Sequence, residues 1–181
     1  MRQAVVAGFV ALGLAALQSS GWSAASYPSC PMQKAREVSF RNATSKDVLE
    51  VSVGTGPCHA ATLTIVIRTD LGLVLYSYVA PFKQHTVGDW EDPALDKEAQ
   101  YFVDGLISQG LESTADLPPW LAPDAYAETH FGSVEVPRKV YEDLRAKPRP
   151  MISHPTYHEG WQSVVYDEKE GKAVIVVTGG V

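Results

Sequence analysis

Residues 61–82 of the chain read ATLTIVIRTDLGLVLYSYVAPF, and this stretch predicts a β-hairpin. Leu63, Ile65 and Ile67 alternate with residues of mixed character, which is the period of two expected of a strand that buries one face. The turn at residues 69–72 ends in Gly72, and glycine readily adopts the positive φ that such a turn requires. The return strand carries apolar side chains on both faces, so we expect another element to cover the hairpin.

Shorter alternating segments indicate further strands on both sides of this hairpin. Residues 37–41 and 49–53 predict two strands before it, which gives four antiparallel strands before residue 82. Residues 164–166 and 173–178 predict a second hairpin, whose turn also ends in a glycine. The chain therefore begins and ends in antiparallel strands.

The region between the two hairpins contains helical patterns. Asp92 and Pro93 form a strong helix start, and Gly110 is a natural end. The apolar stripe of this helix consists of Leu95, Ala99, Phe102, Val103 and Leu106. Residues 137–146 predict a second, short helix, and residues 122–129 a further helical turn. We therefore predict an α+β fold, with a mostly antiparallel sheet of about six or seven strands, one main amphipathic helix packed on it and a second short helix.

The first 25 residues predict a secretory signal peptide. A short basic start is followed by about 14 uncharged apolar residues, 4–17, and by a small-residue segment that ends at Ala25. The alternative, a membrane anchor, needs about 20 apolar residues. We therefore expect cleavage after Ala25 and export to the periplasm, with secretion as the alternative. A single domain over residues 26–181, with no stable membrane span after cleavage, would remain.

Cys30 and Cys58 are the two cysteines of the chain, and both lie in the predicted mature domain. An even number of cysteines in an exported protein predicts a disulfide. This bond would tie the new N-terminus to the loop before the central hairpin. The alternative, a pair of metal-binding or redox thiols, lacks the close Cys-x-x-Cys spacing of such sites.

Loss of Arg2 with the signal peptide changes the formal net charge from −6 to about −7 at neutral pH. An acidic chain offers no general basic field to attract nucleic acid or anionic membranes. We therefore predict no nucleic-acid partner, and a protein or a small molecule as the ligand.

The densest group of functional side chains is residues 154–161, which read HPTYHEGW. Histidine is both a common metal ligand and the usual acid–base group near neutral pH. The spacing differs from that of zinc proteases, because Pro155 rather than Glu follows the first histidine. In an extended chain His154 and His158 would point to the same side, with His130, His85 or Glu159 as a third metal ligand. The alternatives are a loop anchored by its aromatic residues, or a site for an organic ligand or a protein.

A second group, at residues 88–92, places three carboxylates around Trp90. Paired carboxylates serve as acid and base in glycoside hydrolysis or bind calcium. The simpler interpretation is that Asp89, Glu91 and Asp92 stabilise the N-terminus of the following helix.

Together these patterns favour a small exported, non-enzymatic binding or inhibitor-type domain that needs no cofactor. We predict no catalytic residue and no metal ligand, and a binding site that contains His85, Trp90, His154, Tyr157, His158 and Trp161. The alternative is a metal-dependent or carboxylate-dependent envelope hydrolase that uses residues 154–161 or 89–92. The general profile of an exported, acidic, β-rich domain with a disulfide resembles that of small periplasmic lysozyme inhibitors. The Ser-Gly loop of that class, and its motif of Tyr followed by Thr-Lys-Gly, are absent from the sequence.

Overall fold

The computed structural model describes residues 29–86, 95–130 and 132–180. The predicted signal peptide and the acidic loop with Trp90 lie outside the described residues. The described chain forms nine strands in two antiparallel sheets, together with three α-helices. The protein is therefore α+β and mostly sheet, as the sequence predicts, but the expected single sheet of six or seven strands is wrong.

The first sheet contains the four strands expected before residue 82, in the order β1-β2-β3-β4. They are β1 (Met32–Val38), β2 (Asp47–Val53), β3 (Thr62–Arg68) and β4 (Val74–Pro81). Each strand pairs antiparallel with the one before it along the chain. Strand β1 begins earlier than the alternation at residues 37–41 indicates. Its first residues pair with β2, but most of their side chains are exposed, so they show no apolar alternation.

The central hairpin has the buried face that its alternation predicts. Leu63, Ile65 and Ile67 of β3 are fully or almost fully buried. Their partners in β4 include Tyr78, opposite Ile65, and Tyr76, opposite Ile67. Paired residues share a face of a sheet, so both tyrosines project toward the interior of the protein. The turn glycine, Gly72, has a φ of 86°.

The second sheet is built from the rest of the chain, in the order β5-β7-β8-β9-β6. Its strands are β5 (Glu112–Ser113), β6 (Gly132–Val134), β7 (Pro150–Pro155), β8 (Trp161–Asp167) and β9 (Lys172–Gly179). The predicted second hairpin is β8–β9, and β9 lies between β8 and β6.

Three helices cover the sheets: α1 (Leu95–Ser108), α2 (Pro123–His130) and α3 (Arg138–Ala146). Helix α1 packs on the first sheet through Ala99, Val103 and Leu106. The same core continues to Ile152 and Val164 on one face of the second sheet. The opposite face of that sheet packs against α2 and α3, whose buried residues include Tyr126 and Tyr141. The second sheet is therefore covered on both faces. In the described part of the chain, no helix is long and apolar enough to cross a membrane.

Cys30 and Cys58 form the predicted disulfide. Both side chains are fully buried in the core of the first sheet. The backbone N–H of Cys30 also donates to the carbonyl of Gly56, so the start of the described chain is held beside the loop that leads to β3. The bond closes a loop of 28 residues.

Replacement of both cysteines by alanine is expected to lower the free energy of unfolding by about 3–4 kcal/mol, because the unfolded chain gains the entropy of an open loop. Urea unfolding followed by circular dichroism measures the change. The wild-type protein in reducing agent should show a similar loss, whereas the double variant should not respond to the reducing agent. Equal unfolding midpoints for the wild type and the double variant would contradict a stabilising role of the disulfide.

Candidate functional site

A cavity of about 350 Å³ opens on the face of the second sheet that carries α2. Its apolar part combines residues of the sheet, of α2 and of the segment before α2: Leu117, Pro118, Tyr126, Met151, Trp161 and Val177. Its polar part consists of Glu112, Asp116, Ser153 and Ser163. We call this cavity the Trp161 pocket. Its size and its mixture of apolar walls with a few polar groups are typical of sites for small ligands.

The polar part of the pocket contains a hydrogen-bonded row of three side chains. The Ser153 hydroxyl donates to a carboxylate oxygen of Glu112 at 2.6 Å, and the hydroxyl oxygens of Ser153 and Ser163 are also 2.6 Å apart. These residues come together because Ser153 and Ser163 are directly opposite each other in the β7–β8 pair, and Glu112 pairs with Met151 at the edge of the sheet. We call this group the serine row.

The Trp161 indole can lie directly against the neighbouring strand because the residue opposite it has no side chain. Trp161 is opposite Gly179, and a Cβ at Gly179 would lie only 2.4 Å from the indole ring. A Cβ at Gly132, on the other side of Gly179, would likewise lie only 2.3 Å from the Thr178 carbonyl oxygen. The ring therefore lies against the backbone of β9 and forms one wall of the pocket.

A second polar group joins the two sheets, on the opposite face of β7 and β8. Gln162 donates from its amide to the Tyr76 hydroxyl, and that hydroxyl lies 2.5 Å from Nε2 of His154. Nδ1 of His154 donates to the Pro155 carbonyl at 2.9 Å, because a carbonyl can only accept. Nε2 is then the bare nitrogen, and it accepts from Tyr76. This sequence of hydrogen bonds connects β4 of the first sheet to β7 and β8 of the second.

Tyr78 extends this junction to His85. The Tyr78 hydroxyl donates to the Thr156 carbonyl at 2.5 Å, so its oxygen can only accept from Nε2 of His85, 3.4 Å away. The His85 ring packs against the rings of Tyr78 and Phe102, with centroid distances of 5.9 Å and 5.5 Å. Within the described residues, Nδ1 of His85 is buried without a hydrogen-bond partner.

The rings of the junction are kept uncharged by their surroundings. Burial, aided by the nearby His154, lowers the pKa of the His85 imidazole from 6.5 to about 4. Burial also lowers the pKa of His154, although the hydrogen bond to Pro155 opposes that shift. The pKa values of the Tyr76 and Tyr78 phenols are raised by burial. At neutral pH all four rings are therefore neutral, which suits a junction between two sheets.

The structure separates the residues that the sequence places in one site. His154 lies in β7 rather than in a loop, and it is buried on the face toward the first sheet, whereas Trp161 lies on the opposite face of the same sheet. Residues 157–160 form a turn, so the extended conformation assumed for His154 and His158 does not occur. His158 is exposed, with Nε2 3.7 Å from a carboxylate oxygen of Glu159.

The other predicted site residues have different surroundings. Tyr157 is partly exposed, and its ring lies over Gly160, where a Cβ would come within 2.0 Å of the ring. Its hydroxyl lies beside Gly180, where a Cβ would come within 2.3 Å of the oxygen. His85 is in the junction, beside Tyr78. Trp90, Asp89, Glu91 and Asp92 lie outside the described residues, as does the side chain of His130. Across the described ranges, no three His, Cys, Asp or Glu side chains are grouped so that they could hold a metal ion.

The sequence alone does not indicate most of the residues that form the junction and the serine row. None of these residues belongs to a sequence motif: Tyr76, Tyr78, Ser153, Gln162 and Ser163. The only available signal was the alternation of β7 and β8, in which even-numbered residues face the first sheet and odd-numbered residues face α2.

A second cavity, of about 300 Å³, lies between α3 and the β8–β9 hairpin. Its lining mixes three cationic with three acidic residues: Lys147, Arg149, Lys169, Asp143, Asp167 and Glu168. Because opposite charges line this cavity together, it does not select the charge of a ligand. The Trp161 pocket is therefore the better candidate site.

Comparisons with protein-family models, with curated proteins and with solved structures found no match to this chain. The function is therefore argued from the geometry of the site.

The substitution Gly179→Ala tests the position of the indole. The new methyl group would overlap the Trp161 ring, so we expect a loss of about 1–3 kcal/mol in the free energy of unfolding. Thermal unfolding measures this loss, and the indole N–H signal of Trp161 in a ¹H–¹⁵N spectrum reports the displacement. Gly105→Ala is the control, because its Cβ meets open space in the middle of α1. It should stabilise by about 0.5–1 kcal/mol. An unchanged Trp161 signal in Gly179→Ala would show that the indole does not lie on β9.

Acidification tests the neutral junction. Both histidine pKa values are lowered in the folded protein, so below pH 6.5 the unfolded chain binds protons that the folded chain does not. The free energy of unfolding should be highest above pH 6.5 and should fall as the pH decreases to about 4, where His85 also protonates in the folded state. The contribution of His85 is on the order of 3 kcal/mol. Urea unfolding across this pH range measures it.

Two variants isolate this effect from the titration of the carboxylates. His85→Phe should reduce the pH dependence strongly, because the ring contacts with Tyr78 and Phe102 remain while the titrating group is lost. His158→Phe, at the exposed histidine, should keep the wild-type dependence. If both variants follow the wild-type curve, His85 is not a source of the acid sensitivity.

Proposed function

We propose that the mature chain is an exported, non-enzymatic domain that binds a small organic ligand in the Trp161 pocket. The observation that carries this proposal is the pocket itself, in which an indole and apolar sheet residues adjoin a hydrogen-bonded polar edge. Such pockets use the apolar surface for affinity and the few polar groups for orientation. The ligand is therefore amphipathic, with an apolar part beside Trp161 and a polar part toward the serine row.

Export is supported by the pattern of the first 25 residues and by the disulfide. A bond between Cys30 and Cys58 is stable in an oxidising compartment such as the periplasm, whereas cytosolic thiols are usually kept reduced. The acidic composition agrees with a protein that works without nucleic acid.

The surroundings of the buried His154 favour a binding role over catalysis. Both nitrogens of His154 have hydrogen-bond partners within the junction, and its ring lies 4.8 Å from that of Tyr78. This arrangement assigns His154 to joining the sheets. Ser153 and Ser163 lie on the other face of the sheet from His154, so this imidazole cannot act as a base for either hydroxyl.

Binding can be tested with 2-phenylethanol, an uncharged probe with an aromatic ring and one polar group. Titration of the ¹⁵N-labelled mature protein should shift the indole N–H signal of Trp161 to saturation at millimolar probe. The signal of Trp120 should not move, because that ring packs on Tyr141 and is not part of the pocket. A Trp161→Phe variant assigns the signal.

A pocket-filling variant provides the second measurement. Ser153→Phe puts a ring into the cavity and should abolish the shift, with circular dichroism to check folding. Ser108→Phe, at an exposed position of α1, should leave binding unchanged. If the probe does not move the Trp161 signal, or if Ser153→Phe still binds it, the proposed function is wrong.

A further inference from the structure

We propose that the Trp161 pocket is selective for a primary organic ammonium ion, whose N–H groups bind at the serine row and whose apolar part lies on Trp161. This inference rests on the proposed function and adds the chemical class of the ligand. It follows from the direction of the two hydrogen bonds in the serine row, from the charges of the pocket and from the position of the indole.

The direction of the hydrogen bonds follows from the acceptor at the end of the serine row. A carboxylate can only accept, so Ser153 must donate its single hydroxyl hydrogen to Glu112. Because that hydrogen is used, the bond between the two serines must run from Ser163 to Ser153. Both hydroxyl hydrogens therefore point along the row toward Glu112, and neither is available to a ligand.

What the row offers to a ligand is consequently a set of acceptors. Ser163 keeps oxygen lone pairs, and the two oxygens of Glu112 have more acceptor positions than Ser153 occupies. Among the described residues, the other oxygen of Glu112 accepts from the Gln109 amide, at the long distance of 3.5 Å. A primary ammonium group has three donors and no acceptor, so it matches this set, whereas a carboxylate or phosphate does not.

The charges of the pocket favour the same ligand. Its described lining contains the carboxylates of Glu112 and Asp116 and no lysine or arginine. Asp116 also caps a short helical turn through the backbone N–H of Ser113, which fixes its carboxylate beside the pocket. A cation is attracted to this lining and an anion is repelled, and a charge-assisted hydrogen bond is stronger than a neutral one.

Trp161 supplies the surface for the rest of the ligand. Its indole is fixed against the backbone at Gly179, so the ring does not have to be ordered when the ligand binds. An indole face also attracts a nearby cation through its quadrupole. An aryl-alkyl amine with a short linker therefore suits both ends of a pocket of about 350 Å³.

Four probes that share a phenyl ring on a short linker separate the contributions. They are 2-phenylethylamine, 2-phenylethanol, phenylacetate and trimethyl(2-phenylethyl)ammonium, each titrated while the Trp161 indole signal is recorded at neutral pH. We expect the amine to bind about five- to ten-fold more tightly than the alcohol, and phenylacetate to bind most weakly. The trimethylated cation keeps the charge but has no N–H donor, so it should bind more weakly than the amine.

Substitution of the carboxylate gives the decisive comparison. In Glu112→Gln the side-chain oxygen still accepts from Ser153, but the charge is lost, so the preference for the amine over the alcohol should fall to about two-fold or less. Glu128→Gln removes an equal charge from the exposed side of α2 and should retain the wild-type preference. Circular dichroism of both variants shows that they are folded.

The outcomes separate this inference from the proposed function. If the alcohol and the amine move the Trp161 signal with equal affinity, the pocket binds ligands but the ammonium preference is wrong. If the trimethylated cation binds as tightly as the amine, charge alone is recognised and the hydrogen-bond argument fails. A preference that persists in Glu112→Gln also overturns the inference. If no probe moves the signal, the proposed function fails as well.

Discussion

The two sheets of this protein are joined by a polar contact within an otherwise apolar interior. Gln162, Tyr76 and His154 form a chain of hydrogen bonds that ends at the backbone of β7. Buried polar groups of this kind are tolerated when each of them has a partner, and they fix relative position more sharply than apolar contacts, since a small displacement leaves a donor or an acceptor unpaired. Apolar packing of α1, Ile152 and Val164 brings the sheets together, and this hydrogen-bonded chain sets their alignment.

The same strands that make this junction also build the pocket on their other side. Along β7 and β8, His154 and Gln162 face the first sheet, while Ser153, Ser163 and Trp161 face α2. Successive residues of a strand point to opposite faces, so both sites depend on one register. A shift of one residue would place serines in the junction and imidazole in the pocket. The junction therefore also fixes the residues that line the pocket.

Local patterns in the sequence were sufficient for the parts of the fold that depend on neighbouring residues. The alternation at Leu63, Ile65 and Ile67 and the turn at Gly72 were predictable because a short-range rule specifies each one. The disulfide was predictable for a different reason, since the chain has two cysteines and each can pair only with the other. The division into two sheets was not predictable, because alternation identifies a strand but not its partner. In the structure β4 contacts β9 and does not pair with it. The serine row was hidden for the same reason, since Ser153 and Ser163 become neighbours only through the register of β7 and β8.

The position of β9 determines the order in which such a chain can become structured. The four strands of the first sheet pair with their neighbours along the chain, so they can assemble as soon as they are available. The second sheet cannot, because β9 is the last described strand along the chain and yet lies between β8 and β6. Until β9 is in place, the Trp161 indole has no backbone to lie against, and the pocket lacks the wall that this ring forms. The second sheet and its pocket therefore become complete only when residues 172–179 are present, whereas all four strands of the first sheet are available once the chain reaches Pro81.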